Sequence, residues 1–233
     1  MKKKKLKTLI VLPAWNEELN IENVIEELKA CNSDVDYVIV NDGSTDNTLR
    51  ICREKGYNCI NSLINLGLFN VVQTGLKYAM NNDYDIAIQF DSDGQHMPEY
   101  INDLIKAIEE GNNIAIASRF VTEKKPFAPR MFGSRVIALA IKIVTGETIK
   151  DPTSGMRAYD KETIKDYAMD INNPPEPDTL VYMIRKGKKI KEVQASMRER
   201  EKGESIFSIG HIIRYMSRMV ISILFIQPFR KTK

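Results

Sequence analysis

The chain has 233 residues, 43% hydrophobic and 28% charged, the balance of an ordinary soluble globular protein with material for one large core or two small ones. No stretch approaches the ~18 consecutive apolar residues of a membrane-spanning helix, and two histidines and three cysteines away from metal-site spacing leave too little for a histidine triad or a zinc centre. The net charge of +3 conceals a split: from Arg185 onward thirteen lysines and arginines face four glutamates, so the basic end suits an anionic partner such as a membrane surface or a phosphate ligand.

The lysine leader at Met1–Lys5 precedes an apolar run too short for a secretion signal, and polar Asn16-Glu17-Glu18 follow at once, so the expected location is cytoplasmic, with Cys31, Cys52 and Cys59 as reduced thiols. Thr8–Pro13 reads as a first strand. Asn20 is placed to cap a helix with the apolar face Ile21, Val24, Ile25 and Leu28. Asp36–Asn41 is a second strand, and a helix from Asn47 to Lys55 stops at Gly56. Then come a short strand at Cys59–Ser62, a turn at Asn65-Leu66-Gly67 and a helix over Phe69–Met80. Ile86–Phe90 is an apolar strand, Pro98–Glu110 a helix and Asn113–Ser118 another strand. This alternation predicts an α/β protein: a single Rossmann-like, mainly parallel sheet with helices on both faces.

After Ser118 the rhythm changes. Arg119–Arg130 reads as a mobile loop, Met131–Val144 as an apolar helix, and Asp151–Gly155 as a turn into Met156–Tyr159. Proline-rich Asn173–Asp178 opens a helix at Thr179–Arg185, Lys189–Val193 is a strand, and Arg198–Ser205 is a polar loop. The last helix, Ser208 to Phe229, is amphipathic and carries Arg214 and Arg218. It suits a membrane interface or a membrane-protein partner, and packing on its own sheet equally well.

Carboxylates recur where strands end: Glu17 after the first, Asp42 after the second, Asp91 and Asp93 after Ile86–Phe90. Ligands of open α/β sheets bind outside such ends. Asp91 and Asp93, separated by one residue, can share a divalent cation where the backbone bends. Oxygen ligands suit Mg²⁺ or Mn²⁺, which complete their shells with substrate phosphates. Neither a GxxxxGK[ST] loop nor a GxGxxG turn is present, so the set suits a nucleotide diphosphate bound without a glycine-rich phosphate loop.

Read together, Pro13-Ala14-Trp15-Asn16-Glu17, Val40-Asn41-Asp42-Gly43-Ser44-Thr45-Asp46, Asn65-Leu66-Gly67, Asp91-Ser92-Asp93-Gly94-Gln95-His96, Ser118-Arg119, Asp151 to Arg157 and Arg200 to Ser205 carry a resemblance. In these pieces the chain resembles the family 2 glycosyltransferases of the GT-A fold, within them the dolichol-phosphate mannose synthase-like branch that acts on polyprenyl phosphates. The resemblance implies a GT-A domain over residues 1–207, and the amphipathic helix over 208–233 is expected to be part of the same domain or an appendage to it. It implies that Pro13, Ala14, Asn16, Glu17, Asp42, Gly67, Asp91, Ser92 and Asp93 bind the nucleotide sugar. Asp91, Asp93 and Gln95 would hold Mg²⁺ or Mn²⁺, while Arg119, Arg130, Ser134, Arg157, Arg198, Arg200 and Ser205 would face the acceptor.

The expected reaction is inverting transfer of a sugar to a polyprenyl phosphate at the inner face of the cell membrane, for cell-surface glycan assembly, with peripheral attachment through the last helix and a small integral membrane protein as possible partner. Should the acceptor be a hydroxyl of a lipid-linked glycan, a general base is needed, and Asp151, Glu176 and Asp178 are the candidates. Nucleotidyl transfer lacks its usual basic, glycine-rich opening, nucleic-acid binding lacks any motif, and an inactive scaffold is at odds with keeping Glu17, Asp42, Asp91, Asp93 and Arg157 together. Asn41 stands where many relatives have Asp, and the Arg119–Arg130 loop is divergent.

Overall fold

The computed structural model describes residues 5–32, 34–126, 129–170, 174–198 and 209–231. The strands are β1 (Thr8–Ala14), β2 (Asp36–Asn41), β3 (Cys59–Asn61), β4 (Ile86–Gln89), β5 (Ile114–Ser118), β6 (Arg157–Asp160) and β7 (Ile190–Gln194). Between them lie α1 (Ile21–Cys31), α2 (Thr48–Glu54), α3 (Leu68–Asn81), α4 (Ile101–Glu109), α5 (Pro129–Thr145), α6 (Lys161–Met169), α7 (Thr179–Arg185) and α8 (Ile209–Ile221). Pro98–Tyr100 forms a single 3-10 turn ahead of α4, and α8 runs on through a π turn (Ser222–Ile226) and a 3-10 turn (Gln227–Phe229).

The sheet runs β3-β2-β1-β4-β6-β5-β7. Pairing is parallel except that β6 lies antiparallel to β4 and to β5. β1 and β4 are apolar runs because the sheet is covered on both faces. Alternate residues serve opposite layers: Leu9 and Val11 join the core under α3 and α8, Ile10 and Leu12 the core under α1 and α4. Each such side chain, fully buried, stabilises the fold by about 1.5–3 kcal/mol. α3 lies so close to β1 that a Cβ on Gly75 would fall 2.1 Å from Val11 Cγ1.

Two elements differ from the sequence reading. The stretch after the 151–155 turn is a strand inserted into the middle of the sheet, and it is followed at once by α6, for which the sequence reading had no element. Asp160 starts that helix by accepting a hydrogen bond from Thr163 N–H at 2.8 Å. Asn20 does not cap α1 with its side chain. Its amide instead donates to Glu17 Oε2 at 2.7 Å.

The inner face of α8 and its π turn packs into the core through Met219 and Ile223, while Gly133 on α5 lets Met216 approach. Ile221, Phe225, Ile226 and Phe229 stay exposed, as do Phe132, Leu139 and Ile143 on α5. Among the described residues no helix is long and apolar enough to cross a membrane. Because every strand but β6 points the same way, the carboxyl ends of β1, β2, β4, β5 and β7 share one edge with the entry into β6.

Candidate active site

Three loops along this edge are stitched together. Asn16, in a left-handed conformation at φ 55°, donates its N–H to Ser44 Oγ at 3.0 Å and accepts from Thr45 N–H at 2.8 Å. Glu17 N–H donates to Thr48 Oγ1 at 2.9 Å. The loop after β1 is thereby fixed to the loop after β2. Ser92 donates to the Pro13 carbonyl at 2.6 Å and brings in the loop after β4. Asp42 is buried, and its two oxygens accept from Leu66 N–H (2.6 Å) and Gly67 N–H (3.0 Å), so it shapes the turn that opens α3. Gly43 permits this: at φ 65° it lies where a Cβ would meet Ile64 backbone carbon at 2.8 Å. Asn41 is wholly buried and bonded to Asn61 Oδ1 and Ser44 Oγ.

Asp91 and Asp93 leave β4 beside one another. His96 is buried, its Nδ1 accepts Asp91 N–H at 2.8 Å, and so its ring proton sits on Nε2, 3.6 Å from Asp91 Oδ2. The turn before β6 closes on the same carboxylate. A Cβ on Gly155 would stand 2.7 Å from Asp91 Oδ2. Asp91 Oδ1 is buried with no hydrogen-bond partner among the described residues, a costly state for a carboxylate oxygen unless a cation completes it. Asp93 Oδ1 accepts Gln95 N–H at 3.0 Å. This donor set fits a hard divalent cation. Among the described residues there is no cluster of three or more His, Cys, Asp or Glu that could hold a metal by itself. Gln95 binds the segment after β7, its carbonyl accepting Arg198 N–H at 3.0 Å.

Among the residues expected to face the acceptor, Arg119 at the end of β5 grips Asp151 by two parallel bonds, Nε to Oδ2 at 2.8 Å and Nη2 to Oδ1 at 3.0 Å. Glu192 on β7 fixes the same turn by accepting the N–H groups of Lys150 and Asp151. Ser134 is buried on α5 and lies 2.9 Å from Thr153 Oγ1. Arg157 lies beneath: Nε and Nη2 donate to the Ser154 and Pro152 carbonyls, and Nη1 has no hydrogen-bond partner among the described residues. It therefore braces the 151–155 turn. Arg198 forms a forked pair with Glu27 on α1, at 2.6 and 2.9 Å. The Arg130 side chain, Arg200 and Ser205 lie outside the described residues.

The three base candidates are all engaged. Asp151 is wholly buried against Arg119. Glu176 pairs with Arg218 at 2.7 Å, and burial pushes its carboxyl above the ordinary glutamate value against the pull of Arg218. Asp178 is buried, its Oδ2 accepting from Ser222 Oγ and from Gln227 Nε2 at 3.1 Å, so it fastens the end of α8 to α7. Sequence reasoning named His96 within its motif but gave it no role, and passed over Glu192 and Lys125, a loop lysine 2.6 Å from Ser134 Oγ. For His96 the signal was present, a lone histidine three residues past Asp93. The other two are defined only by contacts distant in sequence.

The chain is 31% identical over 224 residues to a dolichol-phosphate mannosyltransferase of Pyrococcus furiosus, covering 91% of this chain and 62% of that one. It is 27% identical over 218 residues to an undecaprenyl-phosphate mannosyltransferase of Micrococcus luteus, covering 88% and 89% respectively. In fold it is similar to glucosyl-3-phosphoglycerate synthase of Mycobacterium tuberculosis, crystallised with Mn²⁺, UDP and glucosyl-3-phosphoglycerate, with a TM-score of 0.71 at 19% identity over 94% of this chain and 80% of that one. The family description Glycosyl transferase family 2 matches residues 9–168, from β1 through the loops that gather Asp42, Asp91, Asp93, Arg119 and Asp151, and the chain belongs to that family and is a glycosyltransferase.

Proposed function

We propose that this glycosyltransferase moves a sugar, with inversion, from a nucleotide-diphosphate donor to a polyprenyl phosphate at the cytoplasmic membrane face, in cell-surface glycan assembly. The observation that carries this reading is an asymmetry in the acceptor half. Arg119 and Lys125 gather positive charge beside Ser134, whereas Asp151, Glu176 and Asp178 are each buried in contacts of their own. A hydroxyl acceptor needs a base; a phosphate is already anionic and needs orientation. The names of the Pyrococcus furiosus and Micrococcus luteus relatives support the same acceptor class.

In this reading Pro13, Ala14, Asn16, Glu17 and the Asp42–Gly67 turn form the nucleoside side. Asp91 and Asp93, with Gln95, hold Mg²⁺ or Mn²⁺ against the donor. That cation, when bound, supplies Lewis-acid stabilisation of the departing diphosphate. Arg119 and Ser134 hold an acceptor phosphate oxygen in line with the anomeric carbon, opposite the leaving group. The exposed apolar residues of α5 and α8, beside Arg214 and Arg218, attach the enzyme to the membrane from which its acceptor comes.

The test is transfer from labelled UDP-, GDP- and dTDP-sugars to undecaprenyl phosphate, with Mn²⁺ or EDTA, beside Asp93→Ala. A lipid-soluble labelled product that requires metal and Asp93 is expected. Product formed only on a glycan hydroxyl would overturn the phosphate reading.

A further inference from the structure

Lys125 occupies a setting that its place in a loop does not account for. It is half-buried, and its ammonium donates to Ser134 Oγ at 2.6 Å and to the Lys150 carbonyl at 3.1 Å. No carboxylate among the described residues pairs with it, for Asp151 is taken up by Arg119. The ammonium stands 5.1 Å from the Phe120 ring centroid, and the Arg119 guanidinium carbon 5.2 Å from the same centroid. One buried aromatic ring thus carries two cations. Burial pushes the ammonium below the ordinary lysine value; Asp151 opposes this, and Arg119 and Arg135 add to it.

A half-buried cation that pairs with no carboxylate among the described residues, close to a second cation, is relieved by an anion that reaches both. Ser134 adds the third point. Its buried oxygen accepts from Lys125 Nζ and from Thr153 Oγ1, so its own hydroxyl hydrogen is left to give to an incoming oxygen.

We infer that Lys125 is a ligand of the acceptor's phosphate and closes, with Arg119 and Ser134, a three-point cradle selective for phosphate monoesters. Its place in the reaction rests on the acceptor reading above; its capacity to bind rests on the cradle alone. A monoester carries close to two negative charges at neutral pH; the Lys125 ammonium meets that charge directly, and the Arg119 guanidinium, already forked to Asp151, has further N–H groups to offer it. A hydroxyl offers no charge to match. The chemistry is the same whether the monoester is carried by a lipid or is soluble.

Calorimetry on the full chain with UDP and Mn²⁺ tests this, using farnesyl phosphate, 3-phosphoglycerate and farnesol, beside steady-state kinetics with farnesyl phosphate. Lys125→Gln is expected to weaken farnesyl phosphate binding about tenfold or more and to raise its KM alike, with the donor KM and farnesol binding unchanged. Lys125→Arg keeps most of the affinity, and Lys124→Gln, at the exposed neighbour, keeps all of it. Equal binding of farnesyl phosphate by wild type and a natively melting Lys125→Gln overturns the inference. So does a parallel loss of farnesol binding, or a failure of Lys125→Arg to restore affinity when Lys125→Gln melts early. Lys125-dependent binding of 3-phosphoglycerate but not farnesyl phosphate would support the cradle and assign it to a soluble monoester. Wild type that binds farnesyl phosphate in a Lys125-dependent way without glycosylating it would sink the acceptor reading and leave the cradle standing. No binding of either monoester by wild type removes the cradle.

Discussion

Arg119 and Asp151 meet fork to fork, and this pair joins the end of β5 to the turn that leads into β6. Asp151 is fully buried while the arginine side chain is 30% exposed, so the carboxylate fixes the plane in which the guanidinium faces solvent. Asp151→Asn keeps the shape and removes the charge. It should lower stability by about 1–3 kcal/mol in urea unfolding and raise the acceptor KM more than the donor KM. Equal changes in both would mean the pair is a fold contact only.

Gly155→Ala tests the other contact of that turn. Gly155 is not in the left-handed region, so alanine's cost is the encounter of its Cβ with Asp91 Oδ2 at 2.7 Å and His96 Cε1 at 3.3 Å. The expected result is a folded protein whose Mn²⁺ affinity, read by electron paramagnetic resonance with UDP present, falls about 10- to 100-fold. His96→Ala should do the same from the opposite side. It should also cost stability, because the ring packs edge-on against Phe90 at 5.4 Å.

Glu176 gives a pH dependence. Burial raises its carboxyl in the folded chain, so the folded state holds that proton more tightly than the unfolded state. Its contribution to stability is therefore present below the ordinary glutamate value and is lost as pH rises through the raised one. The Arg218 partner is 60% exposed and compensates little. Melting temperatures of wild type and Glu176→Gln at pH 7 and pH 5 should shift toward wild type at pH 5. A constant gap would mean that the carboxyl is not held in a desolvated site.

Phe225 and Phe229 are 68% and 80% exposed. Phe225→Asp with Phe229→Asp should reduce partition onto anionic vesicles about tenfold or more and leave transfer to soluble farnesyl phosphate unchanged. Unchanged partition would move membrane attachment elsewhere on the molecule.

The donor half was readable in the sequence for a physical reason. β1, β2 and β4 lie inside the sheet, read as apolar runs, and end in polar turns, and the motif residues are those turns. β6 was not readable. It is four residues long, opens on Arg157, and takes its burial from neighbours rather than from its own pattern. α6 is largely polar, with only Thr163, Ile164, Tyr167 and Ala168 buried, although Asp160 at its start was a usable cap signal. The roles of Asp151, Glu176 and Asp178 depend on partners 32, 42 and 44 residues away, Arg119, Arg218 and Ser222, and no local pattern encodes such pairings.

The antiparallel placement of β6 has a consequence for how such enzymes diversify. The chain leaves the sheet after Ser118 and returns one strand away, with Ala117 N–H bonded to the Met156 carbonyl at 3.0 Å and Ile116 opposite Arg157. Everything between, including Arg119, Lys125, Ser134 and Asp151, is a cassette with two fixed ports, and the loops that carry Glu17, Asp42, Asp91 and Asp93 all come from earlier in the chain. Such a cassette can lengthen, shorten or be exchanged between relatives without moving any of those four carboxylates. Two junctions bound that freedom, Gly155 where the cassette passes Asp91 and Gly133 where α5 meets Met216.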